Sequence, residues 1–255
     1  MKIENYDCVE EYDKFSKIYD KWTSSTWPDD DNIQGLINFI KTFPGGKHIL
    51  ELGVGTGNIA LKLYIDGYHN ITGTDKSTGM IKHLRIKCRK IDYVTEMNTG
   101  LIKVLMEDLY ETEYFGYDWI LMIGNIQERV EHKKKFFQNM YNQMLDGALL
   151  FMNIEDFPEY RRDVDPTKDL YNQYFSNNGN FNIERRCRWY TPQHMSGLMT
   201  YTDVKTGNVT NHKVCGWVIT QNDMIELLNN IGFKHLTIGK SADTGYYEDI
   251  LVFQK

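Results

Sequence analysis

The sequence predicts an α/β fold: a doubly wound, mostly parallel seven-stranded sheet with an antiparallel β insertion after the fifth strand. Three observations carry this. Short apolar runs alternate with helical periodicity from Lys47 to Ile154, the pattern of a parallel sheet covered by helices on both faces. A glycine loop, Glu51-Leu52-Gly53-Val54-Gly55-Thr56-Gly57, stands between the first strand and the helix after it. From about residue 155 to 218 the alternation gives way to long polar and aromatic β segments, which read as an insertion rather than a second domain.

Two helices open the chain. Val9, Tyr12, Phe15, Ile18, Tyr19 and Trp22 recur at helical spacing. Trp27-Pro28 breaks the chain, and a second helix through Leu36, Ile37, Phe39 and Ile40 ends at Pro44-Gly45-Gly46. Strands follow at 47–52, 70–74, 101–106, 119–123 and 148–154, with helices at 59–65, 80–88 and 133–145. In the insertion, 183–190, 195–204 and 209–218 can pair antiparallel, with Lys205-Thr206-Gly207-Asn208 as a hairpin turn. A helix over 221–231, stopped by Gly232, and strands at 234–238 and 247–253 complete the sheet. The expected organisation is one domain over 1–255: a helical lid over 1–46, a core over 47–154 and 219–255, and a substrate-side insertion over 155–218.

Composition narrows the function. The chain of 255 residues is 41% hydrophobic and 13% aromatic, enough for a packed core. Its net charge of -6 lacks the basic footprint of a nucleic-acid binder. Lys133-Lys134-Lys135 is a short solvated run, so a small-molecule partner is the default. The start carries no apolar signal segment and no run is long enough to span a membrane, which predicts a cytoplasmic protein. Cys8, Cys88, Cys187 and Cys215 are scattered, without CxxC spacing, so neither a metal site nor a disulfide framework is expected.

The loop chemistry separates two ligand classes. A dinucleotide fold uses G-x-G-x-x-G with pyrophosphate at the helix end. Here Asn58 takes the place of the third glycine, and acidic Glu51 beside the loop suits a cationic ligand. Asp75 ends the second strand 18 residues beyond Gly57, where nucleotide folds hold a ribose by its hydroxyls. Met80 follows on the adenine side, and Glu107-Asp108-Leu109 after the third strand offers a carboxylate to the adenine amino group. Gly124-Asn125-Ile126 leads out over the ligand crevice after the fourth strand.

Together, the Glu-x-Gly-x-Gly-x-Gly loop, the Asp-x-Ser-x-x-Met segment at 75–80, the Glu-Asp-Leu turn at 107–109 and Tyr19-Asp20-Lys21-Trp22 resemble class I methyltransferases dependent on S-adenosylmethionine (SAM). The resemblance is nearest in style to amino-sugar N,N-dimethyltransferases and glycine-type N-methyltransferases. It implies a Rossmann-like fold, with SAM as donor and S-adenosylhomocysteine as product. It further implies that Glu51, Gly53 and Gly55 line the methionine part of SAM. Asp75 and Lys76 would lie at the ribose, Met80, Glu107, Asp108 and Leu109 around the adenine, and Gly124 and Asn125 under the sulfonium. Tyr12 and Tyr19 would be lid residues. Plain packing is the competing reading for Met80, Tyr12 and Tyr19, helix capping for Asp75, and a turn role for Asp108.

The resemblance makes the function methyl transfer to a small-molecule amine, such as an amino sugar or an amino acid derivative. The alternatives are O-methylation of a small-molecule hydroxyl, an NAD-dependent oxidoreductase and a non-catalytic SAM-binding module. Glu128, where some amino-sugar enzymes carry a His, and Tyr19 are the candidate catalytic residues. Glu128 equally suits an acid at a helix N-terminus. Arg188, Tyr190 and Tyr201 are the candidate substrate residues, the first two placed on one face by strand alternation. The insertion can serve as a pocket roof or as the surface of a homodimer.

Overall fold

The computed structural model describes residues 8–26, 31–95, 103–124, 126, 130–154, 170–172, 180–191, 194–244 and 248–255. Two compact units emerge: Met1–Asp29 with Phe157–Val218, and Asp30–Asp156 with Ile219–Lys255.

The second unit is the α/β layer structure. Its strands are β1 (Ile49–Leu52), β2 (Ile71–Thr74), β3 (Lys103–Leu105), β4 (Trp119–Met122), β5 (Leu149–Asn153), β10 (Lys234–Gly239) and β11 (Ile250–Gln254). They form one sheet in the order β10-β11-β5-β4-β1-β2-β3. β1 to β5 are parallel, and β11 runs antiparallel to both β5 and β10. A dinucleotide fold orders its strands 3-2-1-4-5-6; here a reversed strand is inserted beyond the fifth. Every residue of β1, β2, β4 and β5 is buried. Strands covered on both faces read as apolar runs, which is why β4 and β5 are visible in the sequence.

The helices are α2 (Asp31–Ile40), α3 (Asn58–Ile65), α4 (Thr78–Thr95), α5 (Lys133–Gln143), α6 (Gln221–Ile231) and a short α7 (Ser241–Thr244). α2, grouped with the lid on sequence, packs inside this unit against α3 and α7. α6 has both sequence-readable ends. Thr220 accepts the Asp223 N–H at 3.0 Å as N-cap, and Gly232 at φ 125° closes the helix. Trp119, Phe137, Phe151 and Phe253 fill the core, and the Trp119 indole N–H donates to the Pro44 carbonyl at 2.9 Å.

The first unit pairs α1 (Cys8–Thr26) with an antiparallel sheet, β6 (Leu170–Asn172), β7 (Phe181–Thr191), β8 (His194–Asp203) and β9 (Val209–Trp217), in that order. The expected hairpin turn is present. Asp203 accepts the Lys205 and Thr206 N–H groups at 2.9 and 3.1 Å. Lys21 of α1 hydrogen-bonds and ion-pairs with the same carboxylate, which holds it down to about 2. Phe15 stacks on His212 and tilts over Tyr201, joining helix to sheet. β6 was not expected; three residues are too short a run to show a period. No described helix is long and apolar enough to cross a membrane.

Candidate functional site

The site is built where β1 turns into α3. Glu51 is the last charged residue of β1 and is 4% exposed. Its carboxylate takes the backbone N–H of Ala60 in the first turn of α3. Oε2 has no hydrogen-bond partner among the described residues. Burial first, and then the charge of Asp75, push this carboxyl up to about 8 against the pull of the Ala60 bond. The folded value lies above the ordinary 4.5, so the folded protein holds an extra proton between those two values. Stability from this group is full below that window and is lost as pH rises through it. A buried carboxyl with an unspent acceptor is costly unless a ligand supplies a donor.

The glycine loop makes room for that ligand. Gly53, Gly55 and Gly57 all have left-handed φ, at 66°, 55° and 83°. A Cβ on Gly53 would meet Ile126 at 2.3 Å, and one on Gly57 would meet Leu84 at 2.2 Å. On Gly55 the nearest atom would be 3.9 Å away, so an open cradle lies there.

Asp75 follows β2 and ties the loop to α4. Its Oδ2 accepts the Gly55 N–H at 2.9 Å, and its Oδ1 accepts the Ser77 N–H at 2.8 Å. Ser77 then caps α4 by accepting the Met80 N–H at 3.1 Å. Lys87, further along α4, reaches back to Asn58 at 2.8 Å and Thr56 at 3.1 Å. Sequence reasoning missed both. Ser77 had a signal, an Asp-x-Ser before the helix; Lys87 had none, because only folding brings it to the loop.

The remaining candidates fall into three groups. Lys76 pairs with Asp108 at 2.8 Å, and the Tyr110 N–H donates to Asp108 at 3.1 Å. Burial raises the Asp108 carboxyl, but these two bonds outweigh it and hold it low. Glu107 is half-buried, and Leu109 packs on the core. Met80 is 2% exposed, which favours a packing role. Gly124 is exposed, and its N–H donates to Asn153 at 2.8 Å. Asn125 and Glu128 lie outside the described residues.

The others belong to the first unit. Tyr12 sets its ring edge on His212, and Tyr19 packs on Phe15 and Trp22. Tyr201 is 1% exposed among Phe15, Trp22 and Phe181, a core position of that unit. Arg188 and Tyr190 lie on β7 with side chains outside the described part; a bulge between Trp189 and Thr191 interrupts the alternation that paired them. Among the described residues no group of His, Cys, Asp or Glu is arranged to hold a metal ion.

The arrangement fits a cation-bearing nucleoside rather than a pyrophosphate. A phosphate wants the free N–H groups of a helix N-terminus. Here Glu51 already occupies one of them, so that N–H is not free for a phosphate. An ammonium donor would complete Oε2 instead.

Comparison with known proteins agrees. Residues 49–147 match a family described as a methyltransferase domain. Curated protein sequences contain no match to the chain. Among solved structures, the CcbJ methyltransferase of Streptomyces caelestis superposes with a TM-score of 0.77 at 15% identity, over 98% of this chain and 99% of that one. The SAM-bound amino pentose methyltransferase CalS10 of Micromonospora echinaspora gives 0.64 at 14%, over 93% and 96%. The sugar N-methyltransferase KedS8 of Streptoalloteichus gives 0.61 at 13%, over 93% and 92%. At such identities the likeness is one of fold. Strand order, glycine cradle and domain match converge: residues 49–147 carry a methyltransferase domain, and the fold around it is the Rossmann-like one shared with SAM-dependent methyltransferases.

Proposed function

We propose that the chain transfers a methyl group from SAM to an amine nitrogen of a small molecule, an amino sugar or an amino acid derivative. The observation that carries the donor side is the buried, unpartnered Glu51 Oε2 beside the open Gly55 cradle. The amine and the sugar are supported by relatives of like fold that act on an amino pentose and on a sugar nitrogen.

When bound, SAM supplies a methyl group on a sulfonium whose departure as a neutral thioether needs no acid from the protein. The chain's work is therefore placement and exclusion of water. Glu51 and Asp75 hold the two ends of the donor, and Gly55 lets the backbone approach it. The acceptor nitrogen needs only to shed its ammonium proton, so no strong base is required. Glu128 follows the exit of β4 in sequence, where a carboxylate would attract an ammonium acceptor.

The test is methyl transfer from SAM to a panel of amino sugars, amino acid amides and their hydroxyl counterparts, read by mass spectrometry. Methylated amines with unmodified hydroxyl counterparts are the expected result. Methylation of the hydroxyls alone would replace this reading with O-methylation.

Asp75→Asn should weaken S-adenosylhomocysteine binding by about ten- to a hundred-fold, the loss of a charge-assisted hydrogen bond. The new amide would also face the Gly55 or Ser77 N–H with a donor. Calorimetric titration of the variant checks this; unchanged affinity would remove Asp75 from the ribose.

Donor binding should also release close to one proton at neutral pH, because an ammonium against Glu51 favours the carboxylate that burial disfavours. Calorimetry in two buffers of different ionisation enthalpy measures that proton, and its absence would mean that Glu51 does not meet the ammonium.

A further inference from the structure

Gly124 stands at the exit of β4. Gly124 adopts φ 87°, and a Cβ added there would find nothing within 4 Å among the described residues. Yet its N–H is held, by Asn153 Oδ1 at 2.8 Å. Asn153 ends β5 and is fully buried. Its Nδ2 donates in turn to Glu248 Oε2, and Glu248 is also buried. The three residues stand side by side across the sheet. Gly124 follows β4, Asn153 ends β5, and Glu248 precedes Ile250, the β11 residue in register with Asn153.

The chemistry leaves Asn153 one orientation. A backbone N–H can only donate and a carboxylate can only accept, so the amide oxygen must face Gly124 and the amide nitrogen Glu248. A carboxylate in place of Asn153 would repel Glu248, and an apolar side chain would serve neither neighbour. An amide joining a buried acid to the backbone at Gly124 is a specific arrangement, and burial makes each of its bonds costly to lose.

We propose that Glu248 and Asn153 are positioning residues of the donor site. Glu248 orients the Asn153 amide, which sets the Gly124 turn beneath the donor, so donor affinity depends on a carboxyl far away in sequence. This rests on the reading of Gly124 as part of the SAM site.

Two measurements on the full chain test it. The first is hydrogen exchange of the Gly124 amide by NMR, which needs no ligand. The second is affinity for S-adenosylhomocysteine. Asn153→Leu and Glu248→Leu should each speed Gly124 exchange at least ten-fold, with the β4 amides still protected, and weaken binding by about ten-fold. Glu248→Gln retains an acceptor for Asn153 and should stay within about two-fold of wild type in both. A merely structural pair would lower the melting temperature and leave affinity in the folded protein unchanged. The proposal is overturned if Gly124 exchange is unmoved in the leucine variants, or if it accelerates while affinity holds. Should Asn153→Leu fail to fold, the contrast of Glu248→Leu with Glu248→Gln decides alone. Wild-type protein that binds no S-adenosylhomocysteine would count against the donor site, whereas the exchange result still decides whether Glu248 and Asn153 hold the turn.

Discussion

Glu51→Gln should lose most of its affinity for SAM and S-adenosylhomocysteine while gaining stability at alkaline pH. The glutamine keeps the shape of the side chain and an oxygen for the Ala60 N–H. It turns an amide N–H₂ towards the donor's ammonium, where the carboxylate had an unspent acceptor. Removing one partner of a buried, hydrogen-bonded charge pair costs about 2–5 kcal/mol. A loss near the middle of that range is a hundred-fold or more in affinity. Stability moves the other way, and in a known pH window. At about pH 4 the wild-type carboxyl is mostly neutral in both folded and unfolded states, so variant and wild type should unfold alike. By about pH 9 it is ionised in a buried setting, and the variant should be more stable by a few kcal/mol. Denaturant unfolding of both proteins at the two pH values, with titration by S-adenosylhomocysteine, checks the pair of effects. Wild-type affinity in the variant would mean that Oε2 faces no ligand.

Gly57→Ala should destabilise the fold by about 2–5 kcal/mol. Two costs add. Left-handed φ costs an L-residue roughly 1–2 kcal/mol, and Gly57 has φ 83° as the N-cap of α3. Overpacking adds about 1–3 kcal/mol, because the new methyl would lie 2.2 Å from Leu84 Cδ1. Leu84 has no exposed surface, so it cannot swing aside. For a chain of this size that is a fall of about 4–20 °C in melting temperature, measured by calorimetry. Gly55→Ala separates stability from binding. It carries the left-handed cost without the clash, and its methyl would stand in the open cradle. It should be the more stable of the two variants and still bind donor poorly.

These two positions show what the sequence makes legible. The run from Glu51 to Asp75 spans one strand, one turn, one helix and the next strand, and each step has a local cause. Buried parallel strands read as apolar runs, and left-handed turns need glycine. The stop at Gly232 was readable for the same reason. Pairings across long stretches of chain were not. Lys87 meets Asn58, and Glu248 meets Asn153, through register that no local pattern encodes. Aromatic stripes were ambiguous by nature. Tyr12 and Tyr19 fit a lid and a packing face equally well on sequence, and the structure spends both rings on neighbours in their own unit. Tyr201 looked available in an alternating strand, yet it is a buried anchor for Phe15 and Trp22. The bulge after Trp189 could not be foreseen, because one residue out of phase leaves no mark on composition.

The central claim is that the cradle between Glu51 and Asp75 holds a sulfonium nucleoside and not a dinucleotide. Calorimetric titration of the purified protein with SAM, S-adenosylhomocysteine and NAD tests it most directly. Micromolar binding of the first two and none of NAD is the expected result. Binding of NAD alone would contradict the account and make the chain an oxidoreductase on a related fold.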